Sequence, residues 1–297
     1  MLDALRYFLL IIEHGTFTEA ARRAHLSQPA LSASIRRLEQ HFGAPLLARG
    51  RKGAEPTAAG TALIPRARAA LAAIGEGERS VAEVAGLRAG EVRIGGGATV
   101  CTYFLPPYLA AFRRTHPRIT FRVREATADE VHAALHDGEL DLGLVTSETG
   151  EPWRDDELVL VAAPGVDAAD APFVTFVHGT TSRALLDATF PNAEIVMELN
   201  SIAAVKAHVR VGLGKALVSR VAVETDLALR RLVLVPDPRT PVLRTLRVLH
   251  RGLDRLTPAA AALRTLLFSD LEAPGTPSTA TRKPRRTRGA AARVAKR

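Results

Sequence analysis

The chain has a single cysteine, Cys101, in 297 residues, so no intrachain disulfide can form and a reducing compartment is its natural setting. No run approaches the ~20 apolar residues needed to span a bilayer. The apolar stretch at residues 5–12 is too short and leads into charged segments, so neither a membrane anchor nor a signal peptide is read there. A cytoplasmic protein is expected. The nine histidines fall in no HExxH or other dense ligand spacing, which argues against a metal site. GxSxG, P-loop and GxGxxG signatures are missing too, and Gly95-Gly96-Gly97 alone is weak support for a nucleotide site. No metal, cofactor or catalytic residue is expected.

Bulk basicity is also scarcer than the net charge of +9 suggests. Residues 273–297 hold eight Lys or Arg and no acid, residues 1–90 hold twelve basic against eight acidic residues, and residues 91–272 hold twenty against twenty-three. The high isoelectric point is mostly a property of the tail. The body is nearly neutral, with its positive surplus at the N-terminal end.

What is present is most informative at residues 16–42, TFTEAARRAHLSQPALSASIRRLEQHF, which read as two short helices joined by a tight turn. Thr16 and Glu19 have the Thr-x-x-Glu spacing of a capping box. Ala20, Ala21 and Ala24 are small enough for another helix to approach. His25 and Leu26 fill the turn, Ser27 can cap the second helix, and Pro29 sits in its first turn, where a missing N–H costs nothing. Leu31, Ile35, Leu38 and Phe42 form the buried stripe, which leaves Gln28, Ser32 and Arg36 on the opposite face. Short hydrogen-bonding groups with arginines suit base edges and phosphates in a DNA major groove, although an ordinary helical hairpin would carry the same stripe. Leu5, Phe8, Leu9 and Ile12 give a preceding helix an apolar stripe to cover the pair. Beyond Gly43 and Pro45, the run Arg49-Gly50-Arg51-Lys52 reads as a short basic hairpin placed to touch phosphates, or equally as a solvated loop.

A long helix is predicted from Ala58 to about Leu87. Leu63, Ala67, Ala70, Ile74, Gly77, Val81 and Val84 are spaced four and three apart, a coiled-coil seam that implies a second copy. Gly75 and Gly77 weaken this helix by ~1 kcal/mol each. From Glu91 the pattern changes. Strands are read at 92–95, 120–124, 140–145, 158–162, 173–177, 195–199, 216–219 and 246–249. Helices are read at 100–114, 129–136, 182–189, 201–211 and 257–268, the alternation of parallel α/β sheets divisible into two lobes. Residues 273–297 have no apolar period and read as a disordered basic tail, able to hold nucleic acid non-specifically or simply to solubilise.

The N-terminal segment resembles the winged helix-turn-helix of LysR-type transcriptional regulators. The residues that carry the resemblance are GlyThrPheThrGluAlaAla at 15–21, LeuSerGlnProAlaLeuSer at 26–32, IleArgArgLeuGlu at 35–39, GlyAlaProLeuLeuAlaArg at 43–49 and ProThrAlaAlaGly at 56–60. GluValArgIleGly at 91–95, TyrPheLeuProPro at 103–107, AspGlyGluLeuAspLeuGlyLeuVal at 137–145 and ValGlyLeuGlyLysAlaLeuValSer at 211–219 are similar to that family's effector-binding domain. The resemblance implies an α+β multidomain chain. A winged helix-turn-helix would occupy 1–57, a linker and dimerisation helix 58–90, and a two-lobed, periplasmic-binding-protein-like α/β effector domain 91–272. Lobe I would take about 91–162 and 247–272, lobe II about 163–246, with strands crossing near 160–165 and 240–247.

By the same resemblance, DNA contacts fall to Thr16, Thr18, Ser27, Gln28, Pro29, Ser32, Ser34, Arg36, Arg37, Arg49, Arg51 and Lys52. Implied partners are double-stranded DNA with an interrupted palindrome, a small-molecule effector, further copies making a dimer and then a tetramer, and RNA polymerase. The chain departs from the family in having Ala33 and then Ser34 after the recognition-helix serine, where a long polar residue is common.

Strand-to-helix turns present free N–H groups suited to anions. Ala98, Thr99 and Thr102, then Thr180, Thr181 and Ser182, then Asn200 and Ser201 stand at three such turns. The resemblance sets them around the interlobe cleft with Thr127, Val145 and Thr146. Hydroxyls and amides suit a small polar or carboxylate-bearing metabolite; simple helix capping is the competing role for each. Cys101 lacks the resolving thiol that a peroxide sensor needs and is read as structural. A solute-binding protein would share the α/β body but not the helix-turn-helix, and an architectural DNA binder would lean on the tail.

Overall fold

The computed structural model describes residues 1–50, 53–82 and 90–269. The expectations for Arg51, Lys52, Val84 and the 273–297 tail lie outside the described residues.

The N-terminal unit packs α1 (Leu2–His14), α2 (Phe17–Arg23) and α3 (Gln28–Phe42) around Leu5, Phe8, Ile11, Ala20, Leu31, Ile35 and Leu38. Gly15 ends α1 in the left-handed region at φ 70°, and Thr16 then caps α2 by accepting the Glu19 N–H at 3.2 Å. The predicted capping box is only half formed. The Glu19 carboxylate turns outward to Arg22 (2.5 Å) and Arg23 (3.0 Å). Ser27 caps α3 from its side chain to the Ala30 N–H at 3.4 Å. The predicted stripe fails at its last member, since Phe42 is exposed; Leu46 closes the core there. Glu39 anchors the following turn by accepting the N–H groups of Leu46 (2.8 Å) and Leu47 (3.2 Å). The wing is an antiparallel pair, β1 (Leu47–Gly50) and β2 (Gly53–Pro56), tied back by Ala54 N–H to the Gly15 carbonyl at 2.7 Å.

The linker helix α4 (Ala58–Ala82) divides its seam between two tasks. Leu63 and Ala67 pack into the N-terminal core, whereas Ala70, Ile74, Gly77 and Val81 face solvent. A third face of α4 lies against the C-terminal body. Arg68 meets Asp137 at 2.8 Å, Arg79 meets Asp141 at 3.3 Å, and Glu76 pairs with Arg251. Asp141 is buried and also accepts the Arg93 N–H (2.8 Å) and guanidinium (2.6 Å).

The body is built on a seven-stranded sheet of β3 (Glu91–Gly96), β4 (Thr120–Glu125), β5 (Leu142–Thr146), β6 (Glu151–Ala162), β9 (Ala216–Ser219), β10 (Val233–Leu234) and β11 (Val242–Leu249). The strand order is β10-β6-β11-β5-β3-β4, with β9 also on β6, while β7 (Phe173–Phe176) and β8 (Ile195–Leu199) form a separate parallel pair. The sheet is mixed rather than parallel as the alternation suggested. β3 runs parallel to β4 and β5, but β11 is antiparallel to β5 and β6, and β6 is antiparallel to β9. The reason is that β6 and β11 each run through both lobes and pair with one another along most of their length. They are the crossing strands, longer than the apolar segments by which they were recognised.

Lobe I buries Val92, Ile94, Leu105, Tyr108, Leu142, Val248 and Leu263 between its strands, α5 (Leu105–Thr115) and α10 (Pro258–Leu267). A π-turn over Val100–Phe104 leads into α5, and α6 (Ala128–His136) covers the other side through Val131 and Leu135. Lobe II buries Val159, Val161, Val174, Val205 and Val218 beneath α8 (Ile202–Arg210) and α9 (Arg220–Ala228). Its opposite face holds Leu160, Phe173, Leu186 and Leu217 under α7 (Thr181–Thr189). No helix among the described residues is long and apolar enough to cross a membrane.

Candidate functional site

On the N-terminal unit, Thr18, Gln28, Pro29, Arg36 and Arg37 are exposed, with Ser32 half-buried on the same helix as Gln28 and Arg36. Thr16 and Ser27 serve as helix caps. Ser34 does not belong to the outer face. It lies three residues after Leu31 and four before Leu38, which turns it inward, and it is buried. Arg49 is part of β1.

In the body, a cavity of about 220 Å³ opens where the C-terminal ends of β3 and β5 meet the start of α7 and the crossing strand β11. Ala98, Thr99, Thr127, Val145, Thr146, Thr180, Thr181, Ser182 and Asn200 line it. Thr102 and Ser201 do not; both are exposed, and Ser201 stands at the start of α8 with no side-chain cap bond. Two of the lining hydroxyls are occupied locally. Thr180 accepts the Arg183 N–H at 3.3 Å, and Thr127 completes a full capping box with Glu130. Hydrogen bonds from the Thr127 N–H and hydroxyl hold the Glu130 carboxyl below its usual range, so it stays ionised.

The residue the sequence did not single out is Arg244, on β11 and 9% exposed at the cavity wall. Its guanidinium donates to Thr99 Oγ1 of lobe I and Ser182 Oγ of lobe II, both at 3.3 Å, and to Asp156 of β6 at 2.8 Å. Ser219 donates to the other Asp156 oxygen at 2.5 Å. One buried cation therefore touches both lobes and both crossing strands. A signal for it existed: Arg244 precedes Leu246 and Val248 by two and four residues, the period of a strand's inward face, and those two are buried. Glu125, Glu130, Phe176 and Val177 also line the cavity without having been foreseen.

Cys101 is half-buried and donates to the Gly96 carbonyl at 3.4 Å. Burial, then the nearby Glu125 charge, pushes its thiol up to about 11, which leaves it protonated and unreactive at neutral pH.

Residues 2–61 match the bacterial regulatory helix-turn-helix protein, lysR family, and residues 85–272 match the LysR substrate binding domain. The RuBisCO operon transcriptional regulator of Allochromatium vinosum is 30% identical over 290 residues, spanning 91% of this chain and 96% of that protein. Among solved structures, full-length OxyR from Pseudomonas aeruginosa (a point variant) aligns with a TM-score of 0.64 at 21% identity, covering 90% of this chain and 93% of the other. Full-length CbnR complexed with its target DNA aligns at 0.63 and 20% identity, covering 90% and 98%. These two share the fold. With both domain matches in chain order, the protein belongs to the LysR family of DNA-binding transcriptional regulators that carry an effector-binding domain.

Proposed function

We propose that DNA binding by this regulator is set by a small carboxylate-bearing effector held between the lobes, against Thr99, Thr181, Ser182 and Arg244. The observation that carries the reading is Arg244, a buried cation at the cavity wall that reaches one hydroxyl from each lobe. An anion that took up those donors would also meet the free N–H groups at the start of α7. On the DNA side, Gln28, Ser32 and Arg36 of α3 would enter a major groove while Thr18, Arg37 and the wing meet phosphates. Two copies joined along α4, and two such pairs, would span an interrupted palindrome. A change in lobe closure would then alter the DNA bend and the surface offered to RNA polymerase, with the protein working in the cytoplasm on nucleoid DNA.

The test combines mobility shift and footprinting on the promoter beside its own gene with thermal shifts, over a panel of small organic acids with and without amino groups. A binder at a hundred times its Kd stabilises by about 2.7 kcal/mol, and it should also shift the footprint. Thr99→Val and Thr181→Val should remove both effects while leaving DNA binding in place. A compound that acts undiminished on both variants overturns the cavity assignment.

A further inference from the structure

Charges around the cavity are sorted by position, and this bears on the chemical class of the effector if the cavity is its site. Arg244 is the one cation among the described lining residues, and Asp156 behind it already offsets its charge through contacts at 2.7 and 2.8 Å. Two carboxylates, Glu125 at the end of β4 and Glu130 in the first turn of α6, line the same cavity. Arg124 is turned to Glu139 at 3.2 Å. With Asp156 counted, the formal balance of the site is negative. A simple anion would gain the Arg244 donors but meet the two exposed glutamates, of which Glu130 is offset in part by the charge of Arg124. A simple cation would suit the glutamates and leave the Arg244 side unused.

The contacts of Arg244 with Thr99 and Ser182 are 3.3 Å long, beyond the usual 2.7–3.2 Å range for N–H···O bonds. A ligand carboxylate would exchange them for shorter, charge-assisted bonds. We propose that the effector is a small zwitterion, an amino carboxylate, whose carboxylate binds Arg244, Thr99 and Ser182 and whose ammonium faces Glu125 and Glu130. Glu130 is oriented for this by its bonds from the Thr127 N–H (2.8 Å) and hydroxyl (3.0 Å). The volume of about 220 Å³ accommodates a ligand of amino-acid size.

The experiment is isothermal titration of the full chain with the twenty L-amino acids, each binder being paired with the acid that lacks its α-amino group, such as glutarate for glutamate or propionate for alanine. At least one amino acid should bind, with its des-amino partner weaker by roughly threefold to tenfold, the scale of a partly exposed ion pair. Glu125→Gln should weaken the amino acid by a similar factor and leave the des-amino acid unchanged or tighter. Ser182→Ala should weaken both. The inference is overturned if no amino acid binds, if the des-amino acid binds equally well, or if Glu125→Gln affects the two alike. A des-amino carboxylate that is sensitive to Thr99→Val and Ser182→Ala would retain the cavity as the effector site and remove only the zwitterion; insensitivity of every binder to both variants would remove the site itself.

Discussion

Asp156 and Arg244 face each other across the two crossing strands at 2.7 Å, with side chains only 2% and 6% exposed. Removing one member of a buried pair leaves the other charge uncompensated, at a cost of about 3–5 kcal/mol. Asp156→Ala should therefore lower the unfolding free energy by that amount in urea titrations, and Asp156→Asn, which keeps an acceptor for Ser219, by less. A loss below about 1 kcal/mol for the alanine variant would show that the pair is solvated rather than buried.

This pair marks where the sequence stopped being legible. The runs LVLVA at 158–162 and LRVL at 246–249 announce strands, but EPWRDDE at 151–157 has no apolar period, and VLRT at 242–245 falls to a crossing strand only through the family resemblance. The pairing of β6 with β11 brings Asp156 and Arg244 together, and that contact between segments about ninety residues apart leaves no local trace beyond the inward period Arg244 shares with Leu246 and Val248. The positions most legible in the sequence are those whose role is local, such as Ser27 capping α3 and Pro29 in its first turn. Ser34 is buried, as its spacing from Leu31 and Leu38 dictates, and not on the outer face where the resemblance puts it. α9 is not legible because VAVETDLA has no clean apolar period; its buried face includes Asp226, which Lys206 (3.3 Å) and Arg210 (2.5 Å) compensate.

The division of α3 into two faces separates variants by readout. Gln28→Ala and Arg36→Ala remove exposed groups from the outer face and should each weaken operator binding by ~1–3 kcal/mol if they contact a base. Ser34→Ala changes a buried hydroxyl and should leave operator affinity as it is. Mobility shifts at fixed salt measure all three. Wild-type binding by both Gln28→Ala and Arg36→Ala would remove this face from recognition.

Gly138 combines two demands that a side chain cannot meet. Its φ is +72°, and an added Cβ would overlap the Ala72 side chain of α4. Gly138→Ala should cost about 1–3 kcal/mol through left-handed strain and overpacking. It should also loosen α4 from lobe I, so amide hydrogen exchange should rise around Arg68 and Arg79, whose partners Asp137 and Asp141 lie beside the glycine. Unchanged exchange in α4 would mean that the helix does not rest on this contact.

Acid stability should report on Glu151. A hydrogen bond from Arg264, and after it one from His250, holds its carboxyl below the ordinary value of 4.5. A depressed folded-state pKa contributes stability that is fully present above the unfolded value and is lost as the pH falls through the folded one. Glu151→Gln should thus lower stability at pH 7 by up to about 1 kcal/mol, the scale of a partly exposed pair. It should also flatten the decline of unfolding free energy below about pH 4.5. Denaturant midpoints between pH 2 and 7 measure this, and parallel curves for the two proteins would exclude the contribution.

The split seam of α4 predicts opposite effects from neighbouring positions. Leu63 and Ala67 are used within the chain, so of the described seam residues only the exposed Ala70, Ile74, Gly77 and Val81 are left to meet a second copy. Ile74 and Val81 are 39% and 69% exposed and supply most of the apolar surface available to a partner helix. Ile74→Glu with Val81→Glu would set like charges facing each other across a two-fold pair and should shift sedimentation toward the single chain of 31.8 kDa. Gly75 has no backbone within 4 Å of an added Cβ, only the flexible Arg79 tip at 3.6 Å. Gly75→Ala should therefore strengthen the helix by up to ~1 kcal/mol and tighten association. If the double-charge variant sediments as the wild type does, the copies are joined through some other surface and the exposed half of the seam is simply a solvated helix face.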